Sequence, residues 1–296
     1  MTFSEGGQFE GGRVRRGGAG RAGIAAGGLG GGAVVLVLLV SLLTGQDPGQ
    51  LLGALGGTTQ QGATSRQDPV GDCTAAEANT DRECRLSAAT QSMDAFWGEQ
   101  LPAVGIRPEL PEVVSFSSSV STACGSASAA IGPFYCPGDA TVYIDVSFYD
   151  VLTSQLGARG GSLAEMYILA HEYGHHVQHL TGAMESADRR GTGADSDSVR
   201  LELQADCYAG MWVGDAAERK DPDTQVTFLE PISSDELADA LSAAEAVGDD
   251  EIQSRSGGID PDSWTHGSAK QRQAWFTTGY EQGSMTACDT FAAQTL

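Results

Sequence analysis

Positive charge is scarce in this 296-residue chain: 17 Lys+Arg stand against 39 Asp+Glu, a formal net charge of −22. Four of the basic residues, Arg13, Arg15, Arg16 and Arg21, precede residue 45, where only Glu5 and Glu10 oppose them. The remainder carries 13 basic and 37 acidic side chains. So acidic a body repels phosphate backbones and anionic lipid surfaces, which excludes nucleic acid as a partner. Histidine is scarcer still, with five in all. From Ala22 to Gln46 there is no charge of either sign.

Within that uncharged stretch lies "AVVLVLLVSLL" (Ala33–Leu43). With the Gly/Ala-rich run before it, the stretch reaches the roughly 20 residues that cross a bilayer. The arginines on its N-terminal flank favour an N-inside orientation. No A-x-A-like cleavage site follows, which favours an uncleaved anchor over a signal peptide. The expected organisation is a disordered cytoplasmic tail over 1–21, a transmembrane anchor over 22–45, a flexible Gly/Gln/Thr/Ser-rich linker over 46–72 and one extracytoplasmic domain over 73–296. All six cysteines follow the apolar segment, and an even count beyond an export signal predicts a disulfide framework. Short local loops favour Cys73–Cys84 and Cys124–Cys136, leaving Cys207 with Cys288 by elimination.

Inside the domain, 87–101 reads as helix and "EVVSF" (Glu112–Phe116) as a short strand. "TVYIDVSFY" (Thr141–Tyr149) alternates, with Val142, Ile144, Val146 and Phe148 on one face, as in a half-buried strand. Ser162 and Glu165 form a capping-box pattern at the start of a helix that Gly182 is placed to end. Met166, Leu169, Tyr173, Val177 and Leu180 make its apolar stripe. Further helices are expected over 198–218, 233–252 and 268–280. Few strands and several helices point to an α+β fold.

Four of the five histidines fall in "LAHEYGHHVQH" (Leu169–His179). His171 and His175 are four apart, so their imidazoles share a helix face and reach one ion. Glu172, turned about 100° from His171, is placed to act as a base on water rather than as a ligand. The pair His175/His179 has the same spacing but no carboxylate in that position, so His176 and His179 are not expected to bind metal. A catalytic zinc takes a third protein ligand and keeps one open position. The extended pattern H-E-x-x-H-x-x-G-x-x-H is excluded, because Gln178 and Thr181 stand where Gly and His are required. "LELQAD" on the next helix offers Glu202 as third ligand, with Asp206 one turn on to hold a ligand histidine's distal N–H.

An H-E-x-x-H helix followed by an E-x-x-x-D helix resembles the gluzincin zinc metallopeptidases. More narrowly, "GPFYCPGDATVYIDVSFY", "AHEYGHHVQHLTG", "RLELQADCYAGMW" and "THGSAKQRQAWFTTGY" resemble the bacterial neutral zinc metallopeptidases. The similarity covers most of residues 73–296 and implies a zincin-like domain, one Zn2+ per chain and a single N-terminal membrane anchor. Membrane gluzincins carry a late histidine with an arginine six positions on. His266 and Arg272 match that offset, although Gly267 replaces the usual proline, and the resemblance implies that they assist catalysis. The reading is a membrane-anchored zinc endopeptidase: His171, His175 and Glu202 hold zinc, Glu172 is the general base, and His266 donates to the oxyanion, with Arg272 donating too or holding His266. The partners expected are a peptide or protein substrate and, through the N-terminal helix, the membrane. The 142–149 strand is a candidate edge for aligning the peptide. A zinc-stabilised envelope protein without hydrolytic activity is the alternative, and a non-peptide zinc hydrolase shares the same ligands.

Overall fold

The computed structural model describes residues 3–17, 68–117, 119–128, 131–255 and 257–296. The first half of the chain supplies the strands: β1 (Gln8–Phe9), β2 (Val14–Gly17), β3 (Asp68–Pro69), β4 (Cys73–Thr74), β5 (Glu112–Phe116), β6 (Ser119–Thr122), β7 (Gly125–Ser128), β8 (Phe134–Cys136) and β9 (Thr141–Asp145). Helices α1 (Ala75–Thr80) and α2 (Arg82–Ala103) interrupt them. Then follow α3 (Phe148–Ser154), α4 (Ser162–Thr181), α5 (Ala183–Ser186), α6 (Asp197–Ala216), α7 (Ser234–Ala246), α8 (Asp249–Ser254) and α9 (Ala269–Gln282). The architecture is α+β. Its main sheet has the order β3-β2-β5-β9-β8, with β2, β5 and β9 parallel and the two outer strands antiparallel.

That sheet overturns the expected topology. β2 pairs with β5 from Val14↔Val113 to Gly17↔Phe116, and Phe3, Phe9 and Val14 are buried in the main core. Residues 3–17 are therefore ordered, and lie on the same side of any membrane as the domain they complete. An N-terminus inside and a domain outside a single span do not fit one sheet. The expected anchor over 22–45 lies outside the described residues, as does 46–67 of the expected linker. Among the described residues no helix is long and apolar enough to cross a membrane. The linker's last residues also belong to the domain, since Val70 is buried and β3 pairs with β2. The arginines that suggested a cytoplasmic tail have partners here: Arg13 bonds Asp94 through Nε and Nη2 at 2.6 and 3.0 Å, and Arg16 bonds Glu83.

β9 is neither half-buried nor an edge. All five of its residues are buried, and it lies between β5 and β8. Val142 and Ile144 face the main core, while Tyr143 joins Val114, Phe116, Val120 and Ala127 under the β6–β7 hairpin. The strand stops where Ser147 N–H and O–H both donate to Asp145 Oδ1, and the chain turns into α3.

The three disulfides are Cys73–Cys84, Cys124–Cys136 and Cys207–Cys288. Helix α4 has its stripe of Met166, Leu169, Tyr173 and Val177 in the core, and Gly182 ends it in a left-handed conformation, φ 78°. Its start lacks the expected capping box. Glu165 instead bonds Arg82 Nε at 2.9 Å and Arg85 Nη1 at 2.6 Å, so α2 takes the carboxylate that would have reached back to the cap. Helices α6 and α9 touch backbone to backbone. A Cβ on Gly210 would collide with the Phe276 carbonyl, and one on Gly279 with that of Cys207. This approach brings Arg272 of α9 against Asp206 of α6.

Candidate metal centre

His171 and His175 project from one face of α4, one turn apart, and α6 crosses in front of them. His171 Nε2 lies 3.1 Å from Glu202 Oε2, and His175 Nε2 lies 3.5 Å from Glu202 Oε1. Ligand atoms of His171, His175 and Glu202 all fall within 4.8 Å of one another. Four ligands at ~2.0–2.1 Å around a tetrahedral zinc stand about 3.3 Å apart. Two imidazoles and a carboxylate at these separations fit that ion in donor type and in spacing.

The far side of each imidazole is also held. His171 Nδ1 meets Asp206 Oδ1 at 2.8 Å, and His175 Nδ1 meets Gln178 Oε1 at 2.9 Å. Asp206 is fully buried and receives Tyr167 Oη–H at 2.5 Å and Arg272 Nε–H and Nη2–H at 2.8 and 2.9 Å. Burial alone would raise the Asp206 pKa, but Arg272 and His171 outweigh it and hold the carboxyl below its ordinary range. Burial likewise works against Glu202, yet His175 and His171 hold its carboxyl well below that range. For His171, burial favours the neutral ring, but Asp206 and Glu202 prevail and push its pKa up to about 10. A metal entering here must displace the Nε2 proton, so its affinity rises with pH.

Glu172 is buried beside the three donors and lines a cleft of about 960 Å³ that also receives His171, His175, Glu202 and His266. Its carboxylate has no hydrogen-bond partner among the described residues, and burial raises its pKa against the pull of His175 and His171. His266 enters from the loop before α9. Its Nδ1 lies 2.9 Å from Thr265 Oγ1 and 3.3 Å from Asp249 Oδ1. Asp249 Oδ2 accepts three successive backbone N–H groups, those of Thr265, His266 and Gly267, at 2.8, 2.7 and 3.0 Å.

Arg272 lines the same cleft as His266, with no hydrogen bond between the two among the described residues. Besides Asp206 it bonds the Val247 carbonyl at 3.2 Å and Tyr167 Oη at 3.2 Å, behind the histidines. His176 and His179 take no part in the cluster. His176 lies between Tyr135 Oη at 3.0 Å and the Glu109 carbonyl at 2.7 Å, and His179 pairs with Glu185. Tyr167, Gln178 and Asp249 escaped the sequence reading. Gln178 sits three residues after His175, a spacing that places it on the same face. Asp249, 17 residues from His266, has no local signal.

The family described as "Putative neutral zinc metallopeptidase" matches residues 4–291. The uncharacterized protein Rv2575 of Mycobacterium tuberculosis is 46% identical over 257 residues, which cover 86% of each chain. The uncharacterized protein YpfJ of Escherichia coli K12 is 36% identical over 266 residues, 87% of this chain and 86% of that one. No solved structure matches the chain significantly. The family match begins within the N-terminal segment that completes the sheet and runs past the last helix, and the chain belongs to the putative neutral zinc metallopeptidase family.

Proposed function

We propose that the chain is a zinc-dependent endopeptidase that holds one Zn2+ between His171, His175 and Glu202 and hydrolyses peptide bonds in the adjoining cleft. Glu172 carries this reading. A buried carboxylate facing a cleft beside three metal donors, with no hydrogen bond of its own, has no use in a site that only braces the fold. The chemistry a zinc supplies there is polarisation of a carbonyl and acidification of a water.

In this role Glu172 takes a proton from the water that attacks the scissile carbonyl carbon and passes it to the departing amine nitrogen. Its raised pKa suits a group that must accept a proton and release it again. Burial opposes a charge on His266, but Asp249 and Glu202 outweigh it and raise its pKa, which favours the protonated ring. Nδ1 is held by Thr265 and Asp249, which leaves Nε2 for the oxyanion, to which the protonated ring donates. Asp206, Arg272, Tyr167 and Gln178 fix the orientation of the ligand histidines. The strand that aligns an extended substrate is β8, an outer strand of the sheet, whose Phe134 and Tyr135 line the cleft.

The test is hydrolysis of an unstructured polypeptide by the full chain, followed by mass spectrometry. Internal cleavage that a chelator abolishes and zinc restores is expected. Zinc binding with no cleavage of any peptide would favour a binding protein instead.

A further inference from the structure

The cleft follows α4, a helix of about 30 Å. Ile168 lies one turn before Glu172 on its wall, and Met184 lies just past its C-terminal end. The two ends differ in chemistry. Toward the helix N-terminus the lining is apolar: Leu156, on the segment leading into α4, and Ile252 of α8, whose neighbour Arg255 bonds the Leu156 carbonyl at 2.8 Å. Toward the C-terminus the lining includes Arg189 and Arg190.

Those two arginines are unusual in so acidic a chain. Both are exposed, and Arg189 has no side-chain partner among the described residues. Arg190 Nε reaches only Asp188, at 3.9 Å, with its own side chain 97% exposed. Of the neighbouring acids, Glu185 faces His179 and Asp197 accepts from the Asp188 amide. The loop that presents the arginines is built in place. Ser198 Oγ–H donates to the Gly191 carbonyl at 2.8 Å, Gly193 N–H to the Trp264 carbonyl at 2.8 Å, and Gln271 Nε2–H to the Ala194 carbonyl at 3.2 Å.

We propose that Arg189 and Arg190 select peptides carrying a carboxylate on the side of the scissile bond that lies toward the C-terminal end of α4. This rests on the reading of the cleft as a peptidase site. The net charge of −22 repels acidic ligands at long range. At physiological salt that field is screened beyond about 8 Å, whereas a guanidinium fork meets a carboxylate directly. Close to the cleft the local pair wins. Side-chain carboxylates of Asp and Glu and the carboxylate of a chain terminus share this chemistry.

The experiment measures binding by fluorescence anisotropy to the zinc-loaded full chain carrying Glu172→Gln, so that bound peptide is not consumed. The probes are a labelled decapeptide with Glu-Glu on one side of a central Leu, its Gln-Gln counterpart, and the Gln-Gln peptide with a free rather than amidated C-terminus. Two exposed charge pairs predict that the Glu-Glu peptide binds about tenfold tighter than Gln-Gln, less so in high salt. That preference should vanish in Arg189→Gln/Arg190→Gln and survive in Arg189→Lys/Arg190→Lys, the second variant controlling for folding. A gain confined to the free C-terminus supports the proposal with a chain end as its source. Equal affinities for all three peptides, or a preference that persists in the glutamine variant, overturns it. Cleavage of both peptides with equal kcat/KM by the unaltered chain overturns the selectivity and leaves the peptidase reading standing. Selective binding without cleavage does the reverse.

Discussion

Arg272 grips Asp206 at both oxygens, with Nε 2.8 Å from Oδ2 and Nη2 2.9 Å from Oδ1, and both side chains are buried. Asp206 Oδ1 also lies 2.8 Å from His171 Nδ1, so the pair braces one of the three candidate metal donors. The six-residue offset from His266 suggested that Arg272 donates to the oxyanion too or holds His266; the bonds it makes run to Asp206, Tyr167 and the Val247 carbonyl.

Arg272→Ala strands the Asp206 carboxylate in the core, which costs about 3–5 kcal/mol. Arg272→Lys keeps the charge but not the fork, and should weaken zinc binding by about 10–100-fold while leaving more of the stability intact. Denaturant unfolding and zinc competition against a chelator separate the two effects. Zinc affinity unchanged in the lysine variant would show that the pair only braces the helices.

Gln178 holds His175 Nδ1 and spends its own N–H groups on the Leu201 carbonyl at 2.7 Å and Gln204 Oε1 at 3.1 Å. Gln178→Ala should lower zinc affinity by about 10–100-fold, as loss of an outer-shell partner does elsewhere. His179→Ala, outside this network, should not change it. Isothermal titration with zinc checks both.

His176 is buried, and burial lowers its pKa from 6.5 despite the Glu109 carbonyl. The unfolded chain therefore takes up this proton at a higher pH than the folded one. Stability from His176 is full above about pH 6.5 and falls as the pH drops from there toward the lower folded value. The thermal midpoint of the unaltered chain should fall more between about pH 7.5 and about pH 5 than that of His176→Gln. Parallel curves would mean that the ring is not held neutral.

Removing residues 1–17 takes Phe3, Phe9 and Val14 from the core and Arg13 from Asp94, which also receives Tyr173 Oη–H at 3.0 Å from α4. Each apolar side chain is worth about 1.5–3 kcal/mol, so together they approach the 5–15 kcal/mol that holds a typical domain. The truncated chain should lack a cooperative unfolding transition. A stable, fully folded 18–296 fragment would remove the N-terminal strands from the fold's essentials.

The face of α4 that carries the candidate site was legible because helix spacing alone aligns His171 and His175, with Glu172 beside them. Glu202 and Asp206 were legible for the same reason, on the next helix. The disulfide pairs followed from short loops and elimination. Residues 3–17 were not legible, since a Gly/Arg-rich segment of two- and four-residue strands has no periodicity to read, and its strand partners lie more than 50 residues away. β9 misled because its Tyr143 face looks solvent-directed until the β6–β7 hairpin covers it. Asp249 became visible only when α8 packed against the His266 loop.

The central claim, a metal-dependent base at Glu172, is tested most directly by one paired measurement on Glu172→Gln and the unaltered chain: zinc content and peptide hydrolysis on the same samples. The account predicts about one zinc per chain in both proteins and turnover lowered by several orders of magnitude in the variant alone. Hydrolysis by Glu172→Gln within a few-fold of the unaltered chain, or an unaltered chain that hydrolyses peptides without zinc, would contradict it.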